Sequence, residues 1–582
     1  MLPGFHANSN DGNYNSASFR AIVGGEDETT SPPVVHTPST GENYVYSRTY
    51  LYPTTTSNAY VPQVQNITYY DGLGRPKQSI AIKASPTGED LVTPIPYDGF
   101  GRQVDSWLPA PMSSLNGSIQ TSPESTAVGF HGNAPYSHKT LENSPLDRIQ
   151  SLTQPGTAWQ NNPINYAYEA NNSNEVFKFT TSTIWVNDAS KSELSLASDI
   201  YYPAATLYKN KVIDEDSNVS YEFKNGEGQT LLVRKMNGSD ALDTYYVYNE
   251  YNQLAYVLPP LAVQEIKTNI SVDKSDGSNL LTNLCYIYRY DGHNRLVEKK
   301  LPGKGWEYMV YDKADRLILT QDAKLREINS NRWLMTKYDK FGRVAYAGFI
   351  TDSNRASMQN QIKDLVIIED QKVSGFSKSG LQVEYSNNFF TSFDTLLSVN
   401  YYDSYPTSVS APSSSEVYNQ PLLTSNYTAS QQNPNALVST RGLPTASLVK
   451  NIDDNRWTKT YTFYDQKARP VYTHSINHLG GYTKTASLLD FSGVTIQSRT
   501  EHKRNASIGA PIVTVNERFV YDSQNRLKQH CHQVDGGSEE LLADNTYDKL
   551  GRLANKKLGN NLQSVDYSYN IRGWMTGINA NN

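Results

Sequence analysis

Tyr338 to Arg343 reads YDKFGR, and the same Tyr-Asp-x-x-x-Arg frame occurs eight times along the 582 residues of the chain. The copies are Tyr70, Asp71 and Arg75; Tyr97, Asp98 and Arg102; Tyr290, Asp291 and Arg295; Tyr311, Asp312 and Arg316; Tyr338, Asp339 and Arg343; Tyr464, Asp465 and Arg469; Tyr521, Asp522 and Arg526; and Tyr547, Asp548 and Arg552. Average Asp and Arg usage with this Tyr content would give roughly 0.1 copies by chance, so the chain is a repeat. Neighbouring copies lie 27 residues apart (Tyr70 to Tyr97), 21 (Tyr290 to Tyr311), 27 (Tyr311 to Tyr338) and 26 (Tyr521 to Tyr547). Weaker copies fill the gaps: FKNGEGQ with Phe223 in the Tyr slot, YNEYNQ at Tyr248, LDFSGV at Leu489 and YNIRGW at Tyr569. Such a period suits two strands and two turns, since a strand averages about 5 to 6 residues and a hairpin loop about 2 to 5.

The residues around the motif agree. Apolar and aromatic runs precede it, as in Cys285 to Tyr290 and Tyr308 to Tyr311, and alternation resumes after it, as in Arg316 to Thr320. Within the turn the Asp carboxylate can accept backbone N–H groups, the Gly can take a positive φ, the Tyr ring can lie over the neighbouring unit and the Arg can return to a carboxylate or carbonyl. Every motif residue then has a structural task, and none is assigned to catalysis. The expected fold is all-β: tandem antiparallel β-hairpins forming a curved or spiral sheet, a partial cocoon-like shell with minor helices.

Composition points the same way. Tyr accounts for 42 residues against 16 Phe and 7 Trp, an aromatic balance suited to half-wet strands. Charged residues are only 19% of the chain, which excludes a polyelectrolyte or a coiled coil. The formal charge of -6 offers no basic field, so nucleic acid is excluded as the main partner. Two cysteines, Cys285 and Cys531, cannot frame a disulfide scaffold. No stretch reaches the roughly 20 apolar residues of a membrane span, and MLPGFHANSN lacks the features of a secretory signal.

Five regions are expected: an N-terminal β remnant and linker over 1–41, an N-terminal repeat-associated module over 42–215, repeats over 216–350, an irregular insertion over 351–455 and repeats over 456–582. Within the module, Ala110 to Glu215 reads as irregular and polar, with little helical periodicity. The insertion holds one expected helix, Ser353 to about Val366, with Ser353 as N-cap and Met358, Ile362, Leu365 and Val366 at helical spacing.

The sequence has no Gly-x-Gly-x-x-Gly opening a helix, no phosphate-binding Gly-Lys-Ser/Thr loop, no HExxH, no Gly-x-Ser-x-Gly and no CxxC. His530-Cys531-His532 is the nearest approach to a metal cluster, but a strand divides it between two faces, and a wall position is the preferred reading. The motif aspartates come singly, without the alternating ligands of a calcium loop. Neither a cofactor nor a metal is assigned. Aromatic rings could stack on sugars, yet Tyr repeated with the hairpin period fits a stacked wall better than a sugar groove. A glycan-cleaving enzyme would need two carboxylates roughly 5 to 9.5 Å apart in a cleft, which no pattern singles out.

At YDGLGRPKQSI and YDKFGRVAYAG the sequence resembles the Rhs/YD-repeat family, whose tandem Tyr-Asp repeats build a large β-sheet shell. Tyr69 to Pro111, with ENSPLDRI and PGTAW behind it, is similar to the N-terminal module of many bacterial members. LPGKGWEYMVYDKADRLILTQDAKLRE and NHLGGYTKTASLLDFSGV resemble segments of the same subfamily. The resemblance implies strands that spiral into a hollow cocoon around a toxic C-terminal domain, and in related animal proteins, the teneurins, a shell used in cell adhesion. It would next call for further repeats, an Rhs-associated core with a self-cleaving aspartate site and a variable effector, which do not follow YNIRGWMTGINANN. The chain is therefore expected to be a shell truncated before that core, and no family catalytic residue is carried onto it. The expected function is a non-catalytic scaffold of a secreted or cell-surface shell that encloses or presents a toxin in competition between bacteria. The alternative is a cell-surface adhesin that binds glycans.

Overall fold

The computed structural model describes residues 38–39, 41–53, 62–114, 116–274, 278–327, 331–424 and 439–580. The expected β remnant and linker over 1–41 falls almost wholly outside the described residues. What is described is predominantly β, with few and short helices, and its strands pair antiparallel throughout the named ladders. It divides into two compact units, one of Met1–Pro163, Tyr402–Ala446 and Thr458–Asn582, the other of Ile164–Tyr401 and Ser447–Trp457.

In the first unit, Asn43–Tyr50, Gln63–Tyr70, Pro76–Ile82, Asp90–Pro94 and Ala110–Met112 form one sheet in that order. Alternation along Gln63–Tyr70 and Pro76–Ile82 puts Ile67, Tyr69, Ile80 and Ile82 on one face, and with Val92 and Met112 they make its core. A longer ladder begins with the strand that ends at Tyr464 and continues, neighbour to neighbour, to Met575–Ile578.

In the second unit Ile164–Ala170 pairs with Tyr208–Ile213, and from there each strand pairs with the next as far as Val344–Thr351, which pairs with Thr395–Tyr402. The hairpin Phe177–Val186 and Ala189–Tyr201 packs its apolar residues against this ladder. Phe177 and Leu194 join Phe223, Leu232, Tyr245, Val247 and Leu258 in the core. Ala262, Val263 and Ile266 close the same core from the helix Pro260–Asn269, which starts on a proline whose missing N–H costs nothing at a first turn.

The segment Ala110 to Glu215, read as irregular, is nearly half strand, including Tyr136–Leu141, Ile149–Thr153, Ile164–Ala170 and Tyr208–Ile213, and it also carries the helix Pro123–His131. Polar strands with partly wet faces hide the alternation on which a sequence reading relies. The expected helix at 353–366 is shorter, Arg355–Ile362, and its cap is Asn354, whose side chain accepts the Ser357 N–H, rather than Ser353. Met358 and Ile362 are buried as expected, whereas Leu365 and Val366 lie beyond the helix and are exposed. Ser353 instead gives its carbonyl to the Trp333 indole N–H at 3.0 Å.

Candidate functional site

The eight motifs are built alike. Tyr70, Tyr290, Tyr311, Tyr338, Tyr464, Tyr521 and Tyr547 are each the last residue of a strand, while Tyr97 follows Asp90–Pro94 without being part of it. In the copy at Tyr338 the Asp339 N–H donates to the Arg343 carbonyl at 2.9 Å, and the Gly342 N–H returns to the Asp339 carbonyl at 3.0 Å. Oδ1 of Asp339 accepts the Phe341 and Arg343 N–H groups, both at 2.9 Å, and Oδ2 accepts Arg343 Nε at 2.7 Å. A carboxylate is needed here because it takes two backbone donors on one oxygen and a guanidinium on the other. The chain bulges at this point, so that Tyr338 pairs with Val344. The fourth turn residue takes a positive φ, +77° at Gly342, and the same conformation is held by Ala468 at 60°.

The motifs also key into one another within each unit. Tyr311 Oη donates to the carbonyl of Leu296, just after Arg295, at 2.9 Å, and Tyr338 Oη does the same to Leu317, just after Arg316, at 2.8 Å. In the first unit, Tyr97 reaches Pro76, Tyr547 reaches Leu527 and Tyr569 reaches Leu553, at 2.9, 2.5 and 2.8 Å. The preceding Arg lies over the ring that arrives: Arg75 is 4.4 Å from Tyr97, Arg295 5.0 Å from Tyr311, and Arg552 4.9 Å from Tyr569. Arg75, Arg295, Arg316, Arg526 and Arg552 are thus each clamped by their own Asp and cover the next Tyr, whereas Arg102 and Arg343 lie over Phe100 and Phe341 of their own turns. Asp71 and Asp98 are held below the ordinary carboxylate range, first by the backbone N–H of Arg75 and Arg102 respectively.

Weaker copies obey the same geometry with one correction. Asn249, Asp490 and Asn570 take the Asp position behind Tyr248, Leu489 and Tyr569. In FKNGEGQ, however, Asn225 is the capping residue, accepting the Glu227 and Gln229 N–H groups, so Lys224 occupies the Tyr slot. Phe223 is one residue earlier and faces the core, where burial outweighs motif register. Sequence reasoning missed the same loop at Asp214 and Asn477, which carry neither Tyr nor Arg. An Asp or Asn four residues before its returning partner was the available signal.

The second unit also holds an open cleft of about 520 Å³, lined in part by Glu175, Tyr201, Arg234, Tyr245 and Lys267. Asp243, whose side chain is 1% exposed, accepts Arg234 Nε at 2.6 Å and Lys267 Nζ at 2.9 Å. Burial opposes ionisation of Asp243, but the bonds from Arg234 and Lys267 prevail and its pKa is lowered. Glu175 accepts Lys209 Nζ at 2.8 Å, and Phe177 stacks on Tyr201 at 4.9 Å. The cations are paired with carboxylates of the wall, so ion pairs and aromatic rings brace the cleft.

His530 and His532 each face a carboxylate, Glu517 at 2.9 Å and Glu540 at 3.2 Å, while Cys531 between them is buried. His530 also stacks on Phe519 at 4.5 Å. Among the described residues no group of three or more His, Cys, Asp and Glu side chains is placed to hold a metal ion. No helix among them is long and apolar enough to cross a membrane.

Antiparallel hairpins locked turn to turn define the class: a tandem-hairpin β wall. Residues 42–172 match a family described as a domain of unknown function, DUF6443. No curated protein matches the sequence. Among solved structures, the chain resembles a Tc holotoxin pore of Photorhabdus luminescens at 11% identity, with a TM-score of 0.53 over 92% of this chain and 21% of that one. The complex TcdB2-TccC3 without its hypervariable C-terminal region gives 12% identity and a TM-score of 0.45 over 89% of this chain and 20% of that one. The chain spans about a fifth of the length of these solved chains, and its likeness to the first is one of fold.

Proposed function

We propose that the chain is a non-catalytic wall segment of an exported Rhs-type shell, secreted or at the cell surface, that encloses or presents a toxin domain in competition between bacteria. The observation that carries this reading is the Asp–Arg–Tyr keying. The recurring residues of the sequence are spent on extending a sheet, Arg316 clamped by Asp312 and lying 5.5 Å from the ring of Tyr338 being one instance. The fold shared with a Tc holotoxin pore supports the shell, and the matched module at 42–172 is consistent with the resemblance of Tyr69 to Pro111. A toxin domain inside the complete shell is the partner this reading requires, and neither a cofactor nor a metal has a part in it.

The test is to express the natural gene product together with the coding sequence downstream of it, and to treat the purified assembly with protease before and after mild denaturation. A downstream toxic segment that resists cleavage only while the wall is folded supports the proposal. Selective binding on a glycan array, abolished by substituting the exposed pair Trp185 and Tyr251, would replace it with the adhesin. Those rings lie 5.7 Å apart, and the Trp185 indole N–H donates to Tyr251 Oη at 3.2 Å, so they form a small aromatic platform.

A further inference from the structure

One cluster in the second unit is not explained by the repeat. Lys337 lies on Arg332–Tyr338, the residue before the motif Tyr, and points away from the turn into a chamber roofed by the hairpin Gln371–Lys378 and Leu381–Tyr385. Its side chain and that of Glu369 are both 0% exposed, and Nζ lies 2.6 Å from Glu369 Oε1. Nζ also donates to the Phe389 carbonyl and lies 3.4 Å from Oδ1 of Asn387. The hydroxyl of Tyr346, the cross-strand partner of Lys337, lies 3.1 Å from the Ser386 carbonyl and 3.3 Å from the same Asn387 oxygen. Rings of Phe376, Tyr385 and Phe393 surround that of Tyr346, with centroids 5.4 to 6.2 Å away. The Glu369 N–H is pinned to the Tyr338 carbonyl at 2.9 Å, and the amide nitrogen of Asn387 donates to the Thr391 carbonyl at 3.1 Å. An amine, a carboxyl group, an amide carbonyl and a hydroxyl near that carbonyl therefore meet beside a wall of aromatic rings.

The geometry points to an intramolecular isopeptide bond between Lys337 Nζ and the side-chain carbonyl carbon of Asn387, formed by the chain on itself with Glu369 as proton shuttle. Burial lowers the pKa of Lys337 against the opposing pull of Glu369, which favours the neutral amine that the reaction needs. The proton leaves Nζ for Glu369, and the amine lone pair attacks the Asn387 carbonyl carbon. Negative charge gathers on Oδ1, 3.3 Å from the Tyr346 hydroxyl, which turns to it from the Ser386 carbonyl in the manner of an oxyanion hole. Glu369 delivers its proton to the amide nitrogen and takes one from the attacking nitrogen. The carbon–nitrogen bond of the amide then breaks and ammonia departs. One amine and one primary amide become one secondary amide and ammonia, with no oxidant or further reactant. Nζ stands 3.4 Å from the oxygen of the carbonyl it attacks, so the amine and the amide are held side by side before the reaction. The product would staple the roofing hairpin to the ladder across 50 residues of chain.

The experiment is intact-mass measurement of the denatured full chain, followed by proteolysis and sequencing of the peptides. The expected result is a mass lower than that of the sequence by one ammonia, and a branched peptide joining the segments that contain Lys337 and Asn387. Glu369→Gln should abolish the branch. Asn387→Asp should restore it with loss of water in place of ammonia, an outcome an ion pair alone would not give. Full sequence mass with linear peptides overturns the inference, and so does an ammonia loss confined to linear peptides, as a succinimide at an Asn-Gly pair would give. The wild-type measurement decides even where a variant fails to fold.

Discussion

Replacing Asp312 by Ala removes the most enclosed of the motif carboxylates, with a side chain 0% exposed. Oδ1 accepts the N–H groups of Ala314 and Arg316, both at 3.0 Å. Oδ2 accepts Arg316 Nη2 at 2.5 Å and the Ile367 N–H at 3.2 Å, and the latter ties the turn to a segment 55 residues away. The variant leaves three backbone donors unpaired and a guanidinium, itself 16% exposed, without its counter-charge. A lost side-chain cap costs about 0.5 to 2 kcal/mol, and removing one partner of a buried ion pair about 3 to 5 kcal/mol. These terms overlap, so about 3 to 5 kcal/mol is expected for the whole change. At about 1.36 kcal/mol per tenfold, amide hydrogen exchange at Ala314, Arg316 and Ile367 should quicken by at least a hundredfold or so. Stability in a repeat is roughly a sum of neighbour terms, so the effect should fade along the ladder away from these amides. Asp71→Ala makes the control: it has the same bonds to Leu73 and Arg75, but water reaches them, and the loss should be smaller. Exchange at the three amides within about threefold of the parent, or a larger loss at Asp71, would refute the view that these carboxylates hold the wall together.

Other expectations follow from the same turns. Gly342→Ala should cost about 1 kcal/mol from its φ of +77° alone, since nothing lies within 4 Å of the added carbon. Gly551→Ala should cost more in a urea titration, because the new carbon meets Arg526 Nη1 at 2.8 Å and dislodges it. Ala468→Gly should raise the urea midpoint, since Ala468 holds a φ of 60° that glycine adopts without strain, the gain being at most about 1 kcal/mol. Tyr547→Phe keeps the ring beside Arg526 but loses the bond to the Leu527 carbonyl, and about 1 kcal/mol should disappear from unfolding. Acid should weaken the first unit through Glu416. Its pKa falls from 4.5 to about 2 because Lys484 and the Ser413 N–H favour the carboxylate. A folded-state value below the unfolded one stabilises above pH about 4.5, and that contribution is lost as pH falls toward about 2. Glu416→Gln should flatten this part of the melting-temperature profile.

The β-hairpin repeat was legible because each turn states its chemistry within six residues: Tyr closing the strand, Asp capping, Arg returning to the Asp. Where a turn drops the Tyr and the Arg, as at Asn477, only the backbone geometry remains and the sequence signal thins to one side chain. At Phe223 the core demanded an aromatic ring one residue before the turn, and the pattern slid with it. The helix Pro260–Asn269 went unread although Pro259-Pro260 marks its start, since three buried residues over so short a stretch make a faint period. The Lys337, Glu369 and Asn387 cluster was beyond reach for another reason. Its members are 32 and 50 residues apart and meet only because a hairpin folds over the ladder. Local pattern carries turns; it does not carry which distant side chains a roof brings down on a strand.

A course such as that of Tyr311 and Arg316 holds both halves of its own joint: a tyrosine hydroxyl that reaches back, and a carbonyl after the arginine that receives the next one. The modules are therefore interchangeable in kind. Duplicating or deleting one whole course of this kind leaves its hydroxyls a carbonyl and its arginines a ring. A change of half a course strands both and flips the strand that follows to the wrong face. Such a gene can grow or shrink by unequal crossing-over between its own repeats, with the turn serving as the ruler that keeps the product foldable.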